Sequence, residues 1–302
     1  MVRTYDHHDF DPTTLLEAKG NQRISVCLPA RNEHATVGTI VGRLREALVT
    51  RVPLIDEVIV MDDSSTDDTA RVAEDAGAIV VDAATTLSEH GSGPGKGMAM
   101  WKTIYASTGD IVVWCDADVT NFAPHFITGL VGPLLTDSDI GYVKGFYRRP
   151  LGAGGDGGGR VTELVARPLM SMFFPELTSF IQPLSGEYAG RRALLEGLPF
   201  VVGYGVEVGL LIDIATGWGT EVMAQVDLGT RLHRNRTLTE LGPQAMTIMQ
   251  VILRRAMPGL VDQAAELVRP GLEPAPVHAE ELPPMISVAR YATSRTGEQS
   301  HK

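Results

Sequence analysis

Hydrophobic and polar positions along the chain sort into two kinds of segment that alternate. "ISVCLPA" (24–30), "DEVIVMDD" (56–63), "AIVVDA" (78–83) and "DIVVWCDAD" (110–118) are nearly continuous apolar runs. Short runs of this kind, rich in β-branched residues, predict strands buried on both faces. Between them the period changes to that of a helix. In "NEHATVGTIVGRLREALV", Val37, Ile40, Val41, Leu44 and Leu48 fall on one face. "TDDTARVAEDAG" reads as a helix with Thr66 as cap and Gly77 as stop. The glycine loop "GSGPGKG" leads into a third helix, "MAMWKTIYAS". Strands that alternate with helices predict a doubly wound, Rossmann-like α/β fold with a mostly parallel sheet.

After Pro133 the pattern loosens into a mixed half. "IGYVKGFYRRP" (140–150) and "GTEVMAQVDLGTRLH" (219–233) predict strands, and "LGAGGDGGGR" (151–160) a glycine-rich loop. "VTELVARPLMSMFF", "TELGPQAMTIMQVILRRAM" and "GLVDQAAELVR" predict helices, the last two parted at Pro258-Gly259. The expected organisation is an N-terminal arm (1–22), a nucleotide-binding half (23–135), an acceptor-binding half with C-terminal helices (136–270) and a tail (271–302). The tail is rich in proline, glutamate and serine and is expected to be largely disordered.

Composition narrows the function classes. The 302 residues are 44% hydrophobic, ample for a core. The net charge of −11 lacks the basic footprint of a nucleic-acid binder. Cys27 and Cys115 fall in predicted strands without CxxC spacing, so they read as small buried hydrophobes. The apolar stretch "VVGYGVEVGLLIDIATGW" carries Glu207, Asp213 and several glycines, which argues against a membrane span. "MVRTYDHHDF" has no apolar signal core, and the expected location is cytoplasmic.

Ligands of doubly wound folds gather at the carboxyl ends of the strands, and here every such end is polar. Asp116 and Asp118 end the fourth strand at i, i+2 spacing, which points both carboxylates to one side. Two adjacent anions want a cation, and a hard divalent ion that bridges to phosphates fits. Two solvated aspartates that cap the next helix are the plain alternative. In "LPARNE", Arg31 can fork to phosphate or carbonyl oxygens and Glu33 can accept from a ribose or base; a capping box with Asn32 as N-cap is compatible. In "MDDSSTDDT", Asp63 is the candidate nucleoside contact, and the others serve the helix start. "GPGKGMAM" sets Lys96 and free backbone amides at a helix start, which suits a pyrophosphate. It is neither a Walker A loop nor a dinucleotide fingerprint. His233, in "TRLHRNRT", is either a third metal ligand or an ordinary surface or core histidine. "GGGRVTE" (157–163) is a linker or a small anion site built on Arg160 and Thr162. Arg148, Arg149, Arg160, Arg167, Arg191 and Arg192 enrich this half in positive charge, as a phosphorylated or carboxylated acceptor or a solvated basic face would require.

Taken together, "LPARNE", "MDDSSTDDT", "GPGKGMAMW", "DIVVWCDAD" and "QPLSGEYAGRR" resemble the GT-A glycosyltransferases, and more narrowly the glucosyl-3-phosphoglycerate synthases of actinobacteria. The resemblance runs from about Arg23 to Pro270. It implies a retaining transfer of glucose from UDP-glucose to D-3-phosphoglycerate, feeding methylglucose lipopolysaccharide synthesis. It implies Mg²⁺ or Mn²⁺ held by Asp118 and His233. It implies donor contacts from Pro29, Ala30, Arg31, Glu33, Lys96 and Asp116, with Leu184, Tyr204 and Glu207 along the sugar. Gly159, Arg160, Thr162 and Asn235 are implied for the phosphoglycerate, and a homodimer for the assembly. Glu207, Arg160 and Asp118 are the expected catalytic residues. Inverting relatives use an "ED" pair in the acceptor half, and its absence there fits a retaining route. The rival readings are a GT-A enzyme acting on a polyprenyl phosphate or other phosphorylated acceptor, and a non-catalytic nucleotide-sugar binder.

Overall fold

The computed structural model describes residues 2–93, 95–151, 155–156, 159–232, 237–259 and 266–293. Its frame is one eight-stranded sheet. The strands are β1 (Arg3–Asp6), β2 (Ile24–Ala30), β3 (Glu57–Asp62), β4 (Ile79–Asp82), β5 (Ile111–Trp114), β6 (Tyr142–Arg148), β7 (Tyr188–Arg191) and β8 (Met223–Thr230). They lie in the order β1-β8-β6-β7-β5-β2-β3-β4. All neighbours are parallel except β7, which runs antiparallel to both β5 and β6.

Each buried strand serves two layers because successive side chains point to opposite faces. Val26, Leu28, Val58, Val60, Ile111 and Val113 pack with Val37, Ile40, Val41 and Leu44 of helix Val37–Leu44 and with helix His125–Thr136. Cys27, Ile59, Val112 and Trp114 pack on the other face, against helices Lys96–Ala106, Val206–Trp218 and Leu238–Ala256. The predicted helical face, Leu48 included, is buried throughout. Both cysteines are buried and free, and burial pushes the Cys27 thiol up to about 12.

Several expectations are corrected. The N-terminal 22 residues are no loose arm: β1 pairs with β8, and Phe10 and Leu15 are buried. Glu266–Arg269, expected to end a helix, is a strand paired with Leu272–Pro276; residues 260–265 lie outside the described residues. The tail is ordered over its described part. Glu281–Leu282 pairs with Phe200–Val201, and Val277, Ala279, Leu282, Met285, Val288 and Tyr291 are buried. Trp101 Nε1 donates to the Pro283 carbonyl at 2.8 Å. Six apolar residues at near-regular spacing suffice to dock a segment whose overall composition is polar. Thr66 and Asn32 are not helix caps. Asn32 sits at φ 59°, with its side chain accepting from the Thr66 amide at 2.8 Å, and the helices begin later, at Val37 and Thr69.

Candidate active site

The antiparallel β7 shapes the site. Its amino end lies beside the carboxyl end of β5, with Tyr188 opposite Trp114. Glu187 therefore enters where Asp116 leaves. Gly186 allows this approach, because a Cβ there would stand 2.2 Å from Asp116 Oδ2. Just past β8, Arg231 reaches the same spot. Its Nη2 donates to Asp116 Oδ2 at 2.8 Å and to Asp118 Oδ1 at 2.7 Å. Its Nε lies 3.3 Å from Glu187 Oε1. From the opposite wall, Lys96 Nζ contacts Asp116 Oδ1 at 2.8 Å and Glu207 Oε1 at 2.6 Å.

These charges hold one another. Burial pushes the Asp116 carboxyl up, but Lys96 and Arg231 outweigh it and keep it well below the usual carboxylate range. Burial works against the Lys96 ammonium, yet Asp116 and Glu207 carry it well above its ordinary value. Burial raises Glu187, with Arg231 opposing. Burial also acts against Arg231, but its carboxylate neighbours hold it firmly charged.

Lys144 lies beneath, fully buried on β6, with Nζ 2.8 Å from the Ser185 carbonyl and 4.2 Å from the Tyr188 ring centroid. Burial brings its ammonium down from 10.5 to about 7. Between those values the unfolded chain binds a proton that the folded chain has released, so this residue makes stability rise with pH. Below that window both states are protonated and its contribution is flat. Lys144→Met is expected to flatten the rise in urea midpoint between about pH 7 and pH 10. An unchanged slope refutes this.

Above the cluster opens a cleft of about 380 Å³ lined by Pro29, Ala30, Arg31, Glu33, Asp63, Gly95, Lys96, Asp116, Asp118, Gly203, Tyr204 and His278. Eight residues expected to contact the donor thus meet in one place, together with Asp118. Asp63 has a second duty: its carboxylate accepts from the Gly95 amide at 3.0 Å, tying the glycine loop to β3, and burial raises its pKa. Leu184 instead packs half-buried on the core and is not brought into this lining. Glu207 stands just beneath, at the start of helix Val206–Trp218, joined to Lys96.

A second cleft, also about 380 Å³, is lined by Tyr147, Arg148, Arg149, Gly159, Thr162, Arg167, Gln182, Ser185 and Asp227, among others. Arg160 lies between Gly159 and Thr162 in sequence but is not on that lining. Arg231 links the two clefts through Tyr147 on one side and Asp116 and Asp118 on the other. Tyr147 Oη accepts from Arg231 Nη1 and from Arg149 Nη2, each at 2.8 Å. Arg191 and Arg192 are corrected. Arg192 is buried and donates to the carbonyls of Gly109 and Ile104 and to Ser107 Oγ; Arg191 donates to those of Ile140 and Leu134. Both brace the sheet. His233 and Asn235 lie outside the described residues.

Sequence reasoning missed Arg231, Glu187, Lys144 and His278. Arg231, two residues before His233, sat in a basic run that read as surface. Glu187 sat in "QPLSGEYAGRR" with no carboxylate partner nearby in sequence. His278 belongs to the segment expected to be disordered.

The cluster fits a hard divalent cation. Four carboxylates (Asp116, Asp118, Glu187, Glu207) meet two ion-paired cations (Lys96, Arg231), so a diphosphate would meet net negative charge without a further cation. Asp118 has the most exposed side chain of the Arg231 and Lys96 ion-pair partners here, at 32%, and offers hard oxygen ligands.

Fold and clefts define a nucleotide-sugar glycosyltransferase of the GT-A class. Residues 25–199 match the family model described as Glycosyl transferase family 2. A glucosyl-3-phosphoglycerate synthase of Petrotoga mobilis is 44% identical over 96% of this chain and 95% of its own length. The enzyme of that name from Mycobacterium tuberculosis is 49% identical over 83% of this chain and 78% of its own. A crystal structure of the M. tuberculosis enzyme with Mn²⁺, UDP-glucose and phosphoglyceric acid superposes with a TM-score of 0.86 at 45% identity, covering 94% of this chain and 98% of that one. Another, holding Mg²⁺ and UDP, matches with the same TM-score. The chain belongs to glycosyl transferase family 2 and, within it, to the glucosyl-3-phosphoglycerate synthases.

Proposed function

We propose that this chain transfers glucose from UDP-glucose to the 2-hydroxyl of D-3-phosphoglycerate with retention at the anomeric carbon. The observation that carries the reading is the link between the two clefts. Arg231 bridges Asp116 and Asp118 on one side and, through Tyr147, meets the arginine-lined cleft on the other.

Residues along β2 and β3 would seat the uridine, and Lys96 would meet the diphosphate. Asp118, with His233, would hold Mg²⁺ or Mn²⁺, which when bound supplies charge stabilisation for the departing diphosphate. Gly159, Arg160, Thr162 and Asn235, with Arg148 and Arg149, would fix the anionic groups of the acceptor and aim its hydroxyl at the anomeric carbon. As the acceptor oxygen bonds to that carbon, the carbon–oxygen bond to UDP breaks, and the hydroxyl proton passes to the leaving phosphate on the same face. Glu207 is committed to Lys96 and serves to place it and the sugar. The same reading includes a cytoplasmic homodimer that supplies methylglucose lipopolysaccharide synthesis. Among the described residues no helix is long and apolar enough to cross a membrane, which disfavours the polyprenyl-phosphate alternative.

The test is UDP release from UDP-glucose with Mg²⁺, with and without D-3-phosphoglycerate, and with EDTA as control. Release that needs both acceptor and metal is expected. UDP binding without release would overturn the acceptor and favour a non-catalytic binder or another acceptor.

A further inference from the structure

We propose that Asp6, His7 and His8 form a binding site for one borderline divalent cation such as Zn²⁺, separate from the cation of the transferase cleft. Asp6 ends β1, and His7 and His8 open the turn after it, at the free edge of the sheet. One ligand atom from each lies within 4.8 Å of the others.

Both imidazoles converge on one carboxylate oxygen. Asp6 Oδ1 is 2.6 Å from His8 Nδ1 and 3.4 Å from His7 Nδ1. On the same side, the Asp227 carbonyl oxygen stands 2.9 Å from His7 Nδ1. A carboxylate oxygen and two imidazole nitrogens thus converge, and the Asp227 carbonyl oxygen adjoins one of those nitrogens. A cation bound there takes the place of the proton between Asp6 and His8, and His7 carries its own proton on Nε2 so that Nδ1, now turned to the Asp227 carbonyl, can ligate. The donor set separates this site from the transferase cleft by chemistry. Paired imidazoles with a carboxylate favour Zn²⁺, Cu²⁺ or Ni²⁺, whereas Mg²⁺ prefers oxygens alone.

The surroundings hold the ligands in place. The His7 ring lies 3.9 Å from that of His8 and 4.3 Å from that of His125, and His125 Nε2 is fixed on the Leu228 carbonyl at 3.2 Å. The backbone holds the Asp6 carboxylate over the turn, because it also accepts the His8 amide at 2.9 Å. A cation here would clip the edge strand to β8 through Asp227, where β1 and β8 run side by side.

The full chain, loaded with Mg²⁺ and UDP to occupy the transferase cleft, is titrated with Zn²⁺ by calorimetry and with Co²⁺ by visible absorbance. One equivalent of Zn²⁺ is expected, with Co²⁺ giving the d–d bands of a low-coordinate nitrogen–oxygen site. His8→Ala is the first variant, since that side chain is 79% exposed and carries little of the packing. Asp6→Asn is the second. Each is expected to weaken Zn²⁺ by about tenfold or more. Absence of an equivalent in the loaded protein, or unchanged affinity in both variants, overturns the site.

Discussion

Asp118→Ala is expected to lower turnover by about 10²–10³-fold or more while leaving the protein folded. The kinetic loss follows from position. The Asp118 side chain is about a third exposed on the cleft and offers hard oxygens where a diphosphate would need a counter-cation. The small structural effect follows from redundancy. Arg231 would keep Asp116 at 2.8 Å and Glu187 at 3.3 Å, so no buried cation would be left alone. Steady-state kinetics at saturating Mn²⁺, direct Mn²⁺ binding and a thermal melt together check the prediction. A normal rate would falsify the metal-ligand assignment. A collapsed melt would show that Asp118 is needed for folding instead.

Lys96→Met should have the opposite balance, costing both stability and activity. Its ammonium bridges Asp116 and Glu207, and the Glu207 side chain is only 5% exposed. Asp116 would retain Arg231, but Glu207 would lose the ion pair that compensates its burial. Breaking one side of a buried ion pair costs about 3–5 kcal/mol, most of it from the charge left behind. Urea unfolding measures the deficit, and a second substitution tests its cause. Adding Glu207→Gln to Lys96→Met removes the carboxylate left without its partner and should recover part of the lost stability. A double variant no more stable than Lys96→Met would exclude an uncompensated Glu207 as the cause. Activity should be lost in both, since Lys96 lines the first cleft.

How legible the site was depended on sequence separation. Lys96, Asp116 and the residues after β2 and β3 could be placed because each lies at or just past the edge of an element whose period is written locally, although β5 stops at Trp114, short of the expected strand end. Arg231 could not: its partners Asp116 and Asp118 are 115 and 113 residues away. Glu187 reaches the cleft only because β7 inserts antiparallel between β5 and β6, and no local pattern specifies that neighbour choice. The tail was misread for a related reason. Its polar composition hid six apolar residues that gain burial only against surfaces built by earlier helices. Gly203 then lets the tail backbone come close, since a Cβ there would stand 2.6 Å from the His278 carbonyl oxygen, and His278 reaches the donor cleft.

The sequence by itself determined the layered α/β fold, the polar carboxyl ends of four parallel strands, and most of the residues that line the first cleft. Apolar periodicity is a local consequence of backbone geometry, and it marks both the strand and the point where the strand stops. The tertiary structure alone decided which side-chain cation sits between the two aspartates, that Arg191 and Arg192 brace the sheet, and that β1 and the described part of the tail join the body. Those outcomes depend on strand order and on desolvated charges meeting partners more than a hundred residues away, and burial energies of that kind exist only once the chain has closed around them.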